Sequence, residues 1–123
     1  MIPNAHCHER PFVHTFGMQI ADAMAYCRAL IPLGGGVAPS ELLPPLLQGL
    51  GLDVEPPRGP TLMAFERPCA GRATRDYVRL WADWSDIAQT GELWLETLSG
   101  ESMARSRTRC ADLLEQIRGK LSL

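Results

Sequence analysis

Residues 74–98 read TRDYVRLWADWSDIAQTGELWLETL and contain every tryptophan of the chain. Within this stretch, aromatic and small apolar residues recur at spacings of four, three and four: Tyr77, Trp81, Trp84 and Ala88. On an α-helix these spacings put the side chains on one face, so we predict an amphipathic helix with an aromatic stripe. Such a stripe has to be buried, either in the protein's own core or against a partner.

The predicted helix runs from about Thr74 to Gln89, because glycine, here Gly91, often stands just past a helix end. Residues 92–98 fit two structures. A helix would continue the stripe, whereas a strand would place alternate residues on opposite faces and separate Trp94 from its neighbours. We expect the helix, because glutamate and leucine favour it, and keep the strand as the alternative.

Three other segments have helical periodicity in their apolar residues. Residues 17–31 and residues 101–120 each repeat apolar side chains at spacings of three and four. Residues 38–52 have a leucine-rich face, but two adjacent prolines in the segment remove hydrogen bonds from a helix. We therefore expect a short helix over about Pro45 to Leu50, or a kinked one.

Residues 61–66, TLMAFE, are the best candidate for a strand, because they are short, apolar and flanked by Pro60 and Pro68. A single strand is not stable alone and has to pair with another segment. The sequence therefore predicts a mainly α fold: a small bundle of three to four helices with at most a minor strand pairing. The alternative is an α+β fold.

A chain of 123 residues fits a single domain. Residues 1–16 contain two prolines and no apolar period, so we expect an extended N-terminal arm. Residues 17–123 are expected to form one mostly helical domain with a loop rich in proline and glycine at residues 53–60.

The formal net charge of −2 argues against a protein that binds nucleic acid through bulk charge. No stretch approaches 18 consecutive apolar residues, and the N-terminus lacks the pattern of a secretory signal, so we expect a small acidic cytoplasmic protein with no membrane segment. In a reducing compartment the four cysteines are expected to be free thiols: Cys7, Cys27, Cys69 and Cys110.

All three histidines lie close together near the N-terminus. His6, His8 and His14 would offer three nitrogen ligands that suit zinc, and Cys69 or Glu9 could complete the site. The spacing matches no established zinc motif, and the other interpretation is a solvated arm without a metal. Our first expectation is that the protein has no cofactor, and zinc is the alternative.

We find no catalytic motif in the sequence. It has no G-x-S-x-G elbow and no phosphate-binding glycine loop, and its histidines all belong to the predicted arm. Arg105 and Arg109 are four residues apart, so a helix would place them on one face, where they could hold an acidic partner.

Tryptophan is enriched at the centres of protein interfaces. We therefore predict a non-enzymatic protein-binding module, such as an adaptor, chaperone or inhibitor, including the kind carried by phages and plasmids. Its partner is expected to be another protein or a second copy of the chain, in a homodimer. The alternative is a metal-binding sensor or enzyme that uses the N-terminal histidines. The predicted contact residues are Tyr77, Trp81, Trp84, Trp94, Arg105 and Arg109.

Overall fold

The computed structural model describes residues 5–8, 25–33, 37–73, 76–102 and 107–122. Within these ranges the chain forms a six-stranded antiparallel sheet and three helices. The strands are β1 (Ala5–His8), β2 (Ala25–Pro32), β3 (Leu52–Val54), β4 (Thr61–Glu66), β5 (Arg79–Asp83) and β6 (Glu92–Ser99). The helices are α1 (Pro39–Gly49), α2 (Ile87–Thr90) and α3 (Arg109–Leu121). The order of the strands across the sheet is β1-β2-β6-β5-β4-β3.

The longest strand pairing joins β2 to β6. Its register runs from Ala25 opposite Ser99 to Pro32 opposite Glu92, so all eight residues of each strand are paired. Strands β3, β4, β5 and β6 form an antiparallel meander. Helix α1 lies between β2 and β3 in the chain, and β3 is at the opposite edge of the sheet from β1. From β3 the meander crosses the sheet to β6, which lies beside β2.

Helices α1 and α3 cover one face of the sheet. Helix α3 packs on β2 and β6, whereas α1 packs on β3 and also contacts α3. In the strands from β2 to β6, alternate residues point toward these helices and are buried, as the period of two in a strand requires. Fully buried side chains of this core include Ile31, Leu43, Leu47, Leu52, Leu80, Leu93, Leu95, Leu114 and Ile117.

The mainly α prediction is wrong, and the sheet places the chain in the α+β class that was the alternative. The predicted helix at residues 17–31 is contradicted over its described part, because residues 25–31 belong to β2. The predicted helix at residues 74–89 is replaced by β5 and the four-residue helix α2. Residues 92–98 belong to strand β6, so the favoured helix there is also wrong.

The physical reason is that these segments satisfy two periods at once. In β5, the buried residues Leu80 and Ala82 alternate with Arg79, Trp81 and Asp83, which are half-buried. The same stretch also has apolar residues three and four apart, which fits a helix. Pairing with β4 and β6 decides in favour of the strand, and this pairing is not a local property of the sequence.

Local signals predicted the remaining elements better. Strand β4 has the predicted bounds. Helix α3 lies within the predicted C-terminal helix except for Leu121, and it begins later than predicted. Its N-cap is Thr108, whose side chain accepts a hydrogen bond from the Ala111 amide at 3.2 Å. Helix α1 is longer than expected: it begins at Pro39 and continues through both internal prolines.

Part of the predicted arm and of the predicted loop is described. Strand β1 lies within the arm at residues 1–16 and pairs with β2, whereas residues 1–4 and 9–16 lie outside the described ranges. At residues 53–60, the first two residues belong to β3 and the rest connect it to β4. Among the helices in the described ranges, none is long and apolar enough to cross a membrane.

Among the described strands, β3 forms one edge of the sheet and is three residues long. Asp53 at its centre accepts a hydrogen bond from Arg67 at 2.8 Å, and Pro56 and Pro57 follow the strand. Short length, charged side chains and prolines all discourage a further strand from pairing with an edge.

Truncation of a core leucine tests this arrangement. Leu114 on α3 is fully buried, so we expect Leu114→Ala to lower the free energy of unfolding by about 2–5 kcal/mol. Leu30→Ala is the matched control, because Leu30 on β2 is 36% exposed. Urea unfolding of both variants measures the difference, and equal losses would contradict the packing of α3 against the sheet.

Candidate partner-binding face

The tryptophans do not form one stripe, because they lie on strands or beside them. Trp81 on β5 and Trp94 on β6 occupy positions on the face of the sheet away from α1 and α3. Trp84 follows β5 directly and packs against the helix-side core. Residues an odd number apart in a strand point to opposite faces, which separates Trp84 from Trp81. Ala88, the last residue of the predicted stripe, is exposed on α2.

Trp81 and Trp94 are diagonal neighbours on adjacent strands. Trp81 pairs with Glu96, and Asp83 pairs with Trp94. Diagonal positions on one face are about 7–8 Å apart, within reach of large aromatic side chains. All three tryptophans of the chain are half-buried, so the structure does not single out one of them as exposed.

The surroundings of these two rings combine apolar and charged side chains. Leu30 pairs with Trp94 across β2 and β6, and Met63 pairs with Trp81 across β4 and β5. The Arg28 guanidinium carbon lies 5.3 Å from the centre of the Trp94 ring, in a cation–π contact. We call this surface the tryptophan face and define it by Arg28, Leu30, Met63, Trp81, Asp83 and Trp94.

A buried polar pair lies beside the tryptophan face. The Tyr26 hydroxyl donates a hydrogen bond to Oε2 of Glu96 at 2.9 Å, and both residues are almost inaccessible to solvent, at 2% and 1%. Burial raises the pKa of Tyr26 strongly, and the neighbouring carboxylate of Glu96 raises it further. The hydrogen bond also joins β2 to β6.

Tyr77 lies in the connection before β5 and away from the tryptophan face. Its hydroxyl accepts a hydrogen bond from the Cys69 amide at 3.0 Å and donates one to the Cys69 carbonyl at 3.2 Å. The Arg72 guanidinium carbon lies 5.7 Å from the centre of its ring. These contacts join Tyr77 to the described residues that follow β4.

Only Arg109 of the predicted basic pair lies within the described residues. Arg109 is the first residue of α3, and its guanidinium forms an ion pair with the carboxylate of Glu66 at the end of β4. Glu66 also accepts hydrogen bonds from the Val78 amide at 2.8 Å and from Arg72 at 3.3 Å. Arg109 therefore connects α3 to the sheet, and Arg105 lies outside the described residues.

The described residues include one deeply buried free thiol, Cys110 on α3. Its Sγ lies 3.3 Å from Oγ of Ser99. Burial raises the pKa of Cys110 to about 12, so the thiol is protonated at neutral pH and is not activated as a nucleophile.

The structure describes the backbone of three of the four predicted metal ligands and places them at two separate positions in the sheet. His6 and His8 lie in β1, Cys69 follows β4, and His14 lies outside the described residues. Three strands separate β1 from β4, which corresponds to about 19 Å between their backbones. Within the described ranges, no group of three or more histidine, cysteine, aspartate or glutamate side chains could hold a metal ion.

Sequence reasoning named both central rings of the face as contact residues but did not name Arg28, Leu30 and Asp83 as their neighbours. The signal that could have found them is the alternation of buried and partly exposed residues in β2 and β5. The neighbours of each ring depend on the register between strands, which no local pattern specifies.

No protein-family model, no curated protein and no solved structure matches the chain.

Replacing Tyr26 tests the buried pair. Tyr26→Phe removes a hydrogen bond from the buried carboxylate of Glu96, so we expect a loss of about 1–3 kcal/mol in the free energy of unfolding at neutral pH. The raised pKa of Tyr26 also means that above pH ~10 the unfolded chain loses a proton that the folded state keeps. Stability then falls as the pH rises, by up to about 1.4 kcal/mol per pH unit.

Urea unfolding at neutral and alkaline pH measures both effects. In Tyr26→Phe, the part of the fall in unfolding free energy at alkaline pH that Tyr26 causes should be absent. In Tyr77→Phe, which replaces the only other tyrosine of the chain, that part should remain. Other alkaline titrations, including that of Cys110, are common to both variants and cancel in the comparison. The same alkaline slope in Tyr26→Phe and in the wild type would contradict the assignment.

The ion pairs of Glu66 and Asp53 provide a second comparison. Glu66→Gln weakens a largely buried contact with Arg109 and Arg72, and we expect a loss of about 2 kcal/mol. Asp53→Asn removes the exposed pair with Arg67, for which we expect a loss of about 0–1 kcal/mol. Thermal unfolding of both variants measures the two losses of stability. A larger loss for Asp53→Asn than for Glu66→Gln would refute the structural role of Glu66.

Proposed function

We propose that the chain is a non-enzymatic protein-binding module and that the tryptophan face contacts the partner. The observation that carries this proposal is the position of Trp81 and Trp94 as diagonal neighbours, both only half-buried. Leu30 and Met63 extend the apolar area on either side. Large aromatic side chains in such a setting are the residues that most often dominate binding energy at protein interfaces.

The rigidity of the sheet supports the same proposal. Trp94 lies on β6, which is paired on both sides, and Arg28 restrains its ring from the neighbouring strand. A side chain that is already ordered loses little conformational entropy when a partner binds. This face would therefore bind without rearrangement of the backbone.

The charges of the face indicate the chemistry of the partner. Arg28 lies on β2 and Asp83 on β5, on opposite sides of Trp94. A protein that presents an apolar patch between an acidic and a basic side chain would match them, and the two charges would fix its orientation. An adaptor, a chaperone or an inhibitor would each use such a surface.

Replacement of the two rings tests the proposal. We expect Trp81→Ala and Trp94→Ala each to weaken partner binding by at least about 30-fold while the protein stays folded. Partners are identified by chemical cross-linking in cells that express the chain, and their affinity for each variant is then measured by titration calorimetry. Circular dichroism confirms that each variant is folded.

Val37→Ala is the matched surface control, because Val37 is 56% exposed and lies outside the sheet. It should bind as the wild type does. Light scattering separates two kinds of partner: a dimer that both tryptophan variants dissociate would identify a second copy of the chain. Folded Trp81→Ala and Trp94→Ala variants with wild-type affinity would overturn the proposed site.

A further inference from the structure

One cysteine of the sheet is not a free thiol. Cys27 on β2 is disulfide-bonded, and its side chain is fully buried on the helix side of the sheet. Cys69 and Cys110 are both free. The chain has four cysteines, so Cys7 is the one that remains. This corrects the expectation from the sequence that all four are free thiols.

The backbone register leads to the same residue independently. Cys7 lies directly opposite Cys27 in the antiparallel pairing of β1 with β2. Residues directly opposite each other in such a pair have Cα atoms about 4.5–5.5 Å apart. Disulfides join cysteines whose Cα atoms are about 4.4–6.8 Å apart, so the backbone does not have to move to allow the bond.

We propose that Cys7 and Cys27 form a cross-strand disulfide that fastens β1 to the edge of the sheet. Strand β1 has four residues and, among the described strands, one neighbour. An edge strand of this length has few hydrogen bonds to hold it, and a covalent bond at its third residue compensates for that weakness. The proposal does not depend on the proposed function.

The bond also fixes what lies beside the tryptophan face. His6 is opposite Arg28 and His8 is opposite Tyr26, so both histidines occupy register positions of the face away from α1 and α3. A bond at Cys7, between these two positions, keeps the β1 backbone next to Arg28. Reduction of the bond would leave only strand pairing to hold it there.

The disulfide forms by thiol–disulfide exchange with a small-molecule disulfide such as oxidised glutathione. The thiolate of one cysteine attacks the oxidant, forms a mixed disulfide and releases one glutathione thiol. The second cysteine then attacks the protein sulfur of the mixed disulfide and releases the other glutathione thiol. The two protein thiols are oxidised, and the oxidant takes up both electrons and both protons.

Alkylation of the full chain under denaturing, non-reducing conditions tests the bond. We expect two cysteines to be labelled, Cys69 and Cys110, and all four after reduction. Peptide mapping should find one linked pair of peptides that contain Cys7 and Cys27. Labelling of Cys7 and Cys27 in protein that has never been reduced would overturn the proposal, as would a linked pair that includes Cys69 or Cys110.

Serine variants separate the bond from the reactivity of single thiols. Cys7→Ser should leave three labelled cysteines without reduction and lower the Tm by about 10 °C. Cys69→Ser, the control at an exposed free thiol, should leave one labelled cysteine and an unchanged Tm. If Cys7→Ser does not fold, the peptide map of the non-reduced wild-type protein still tests whether Cys7 and Cys27 are linked. Acid trapping of thiols in intact cells, followed by the same mapping, tests whether the bond is present in the expected cytoplasmic location.

Discussion

The eight-residue pairing between β2 and β6 is the interaction on which the rest of the fold depends. It joins segments that are distant in the chain and makes β6 a central strand with neighbours on both sides. Helix α3 then has a continuous surface to pack on, formed by Ala29 and Ile31 of β2 and by Leu93 and Leu95 of β6. Without this pairing, the meander and the β1–β2 edge would be separate small sheets with little area to bury.

Buried polar contacts make this arrangement specific. A shift of β6 by one residue would turn Leu93 and Leu95 away from the core, and it would also move Glu96 to the helix side and away from the Tyr26 hydroxyl. The carboxylate of Glu66 acts in a similar way at the other end of the sheet, because only this register lets it reach both the Val78 amide and Arg109. A buried carboxylate without these partners would be costly.

The sequence was informative where structure is determined locally. Pro60 and Pro68 flank β4 on its two sides. The leucine periodicity predicted a helix in the region of α1 despite the two prolines inside it. The same reasoning failed for β2, β5 and β6, because their apolar residues satisfy both a helical and a strand period, and strand pairing between distant segments decided between them.

The candidate site shows the same limit. Trp81 and Trp94 are recognisable as candidates from composition, but the sequence could not show that they are neighbours while Trp84 belongs to the core. Their charged neighbours, Arg28 and Asp83, come from two other positions in the register. The expectation of free thiols failed for a related reason, because only the pairing of β1 with β2 places Cys7 opposite Cys27.

The short and charged edge at β3 constrains how copies of this protein can assemble. Growth of a fibre by edge-to-edge addition of sheets needs two open edges on every molecule, and the ion pair of Asp53 with Arg67 and the prolines after it discourage addition at this one. Edge-to-edge pairing that is limited to the other edge of the sheet could join two copies of the protein but could not continue into a fibre.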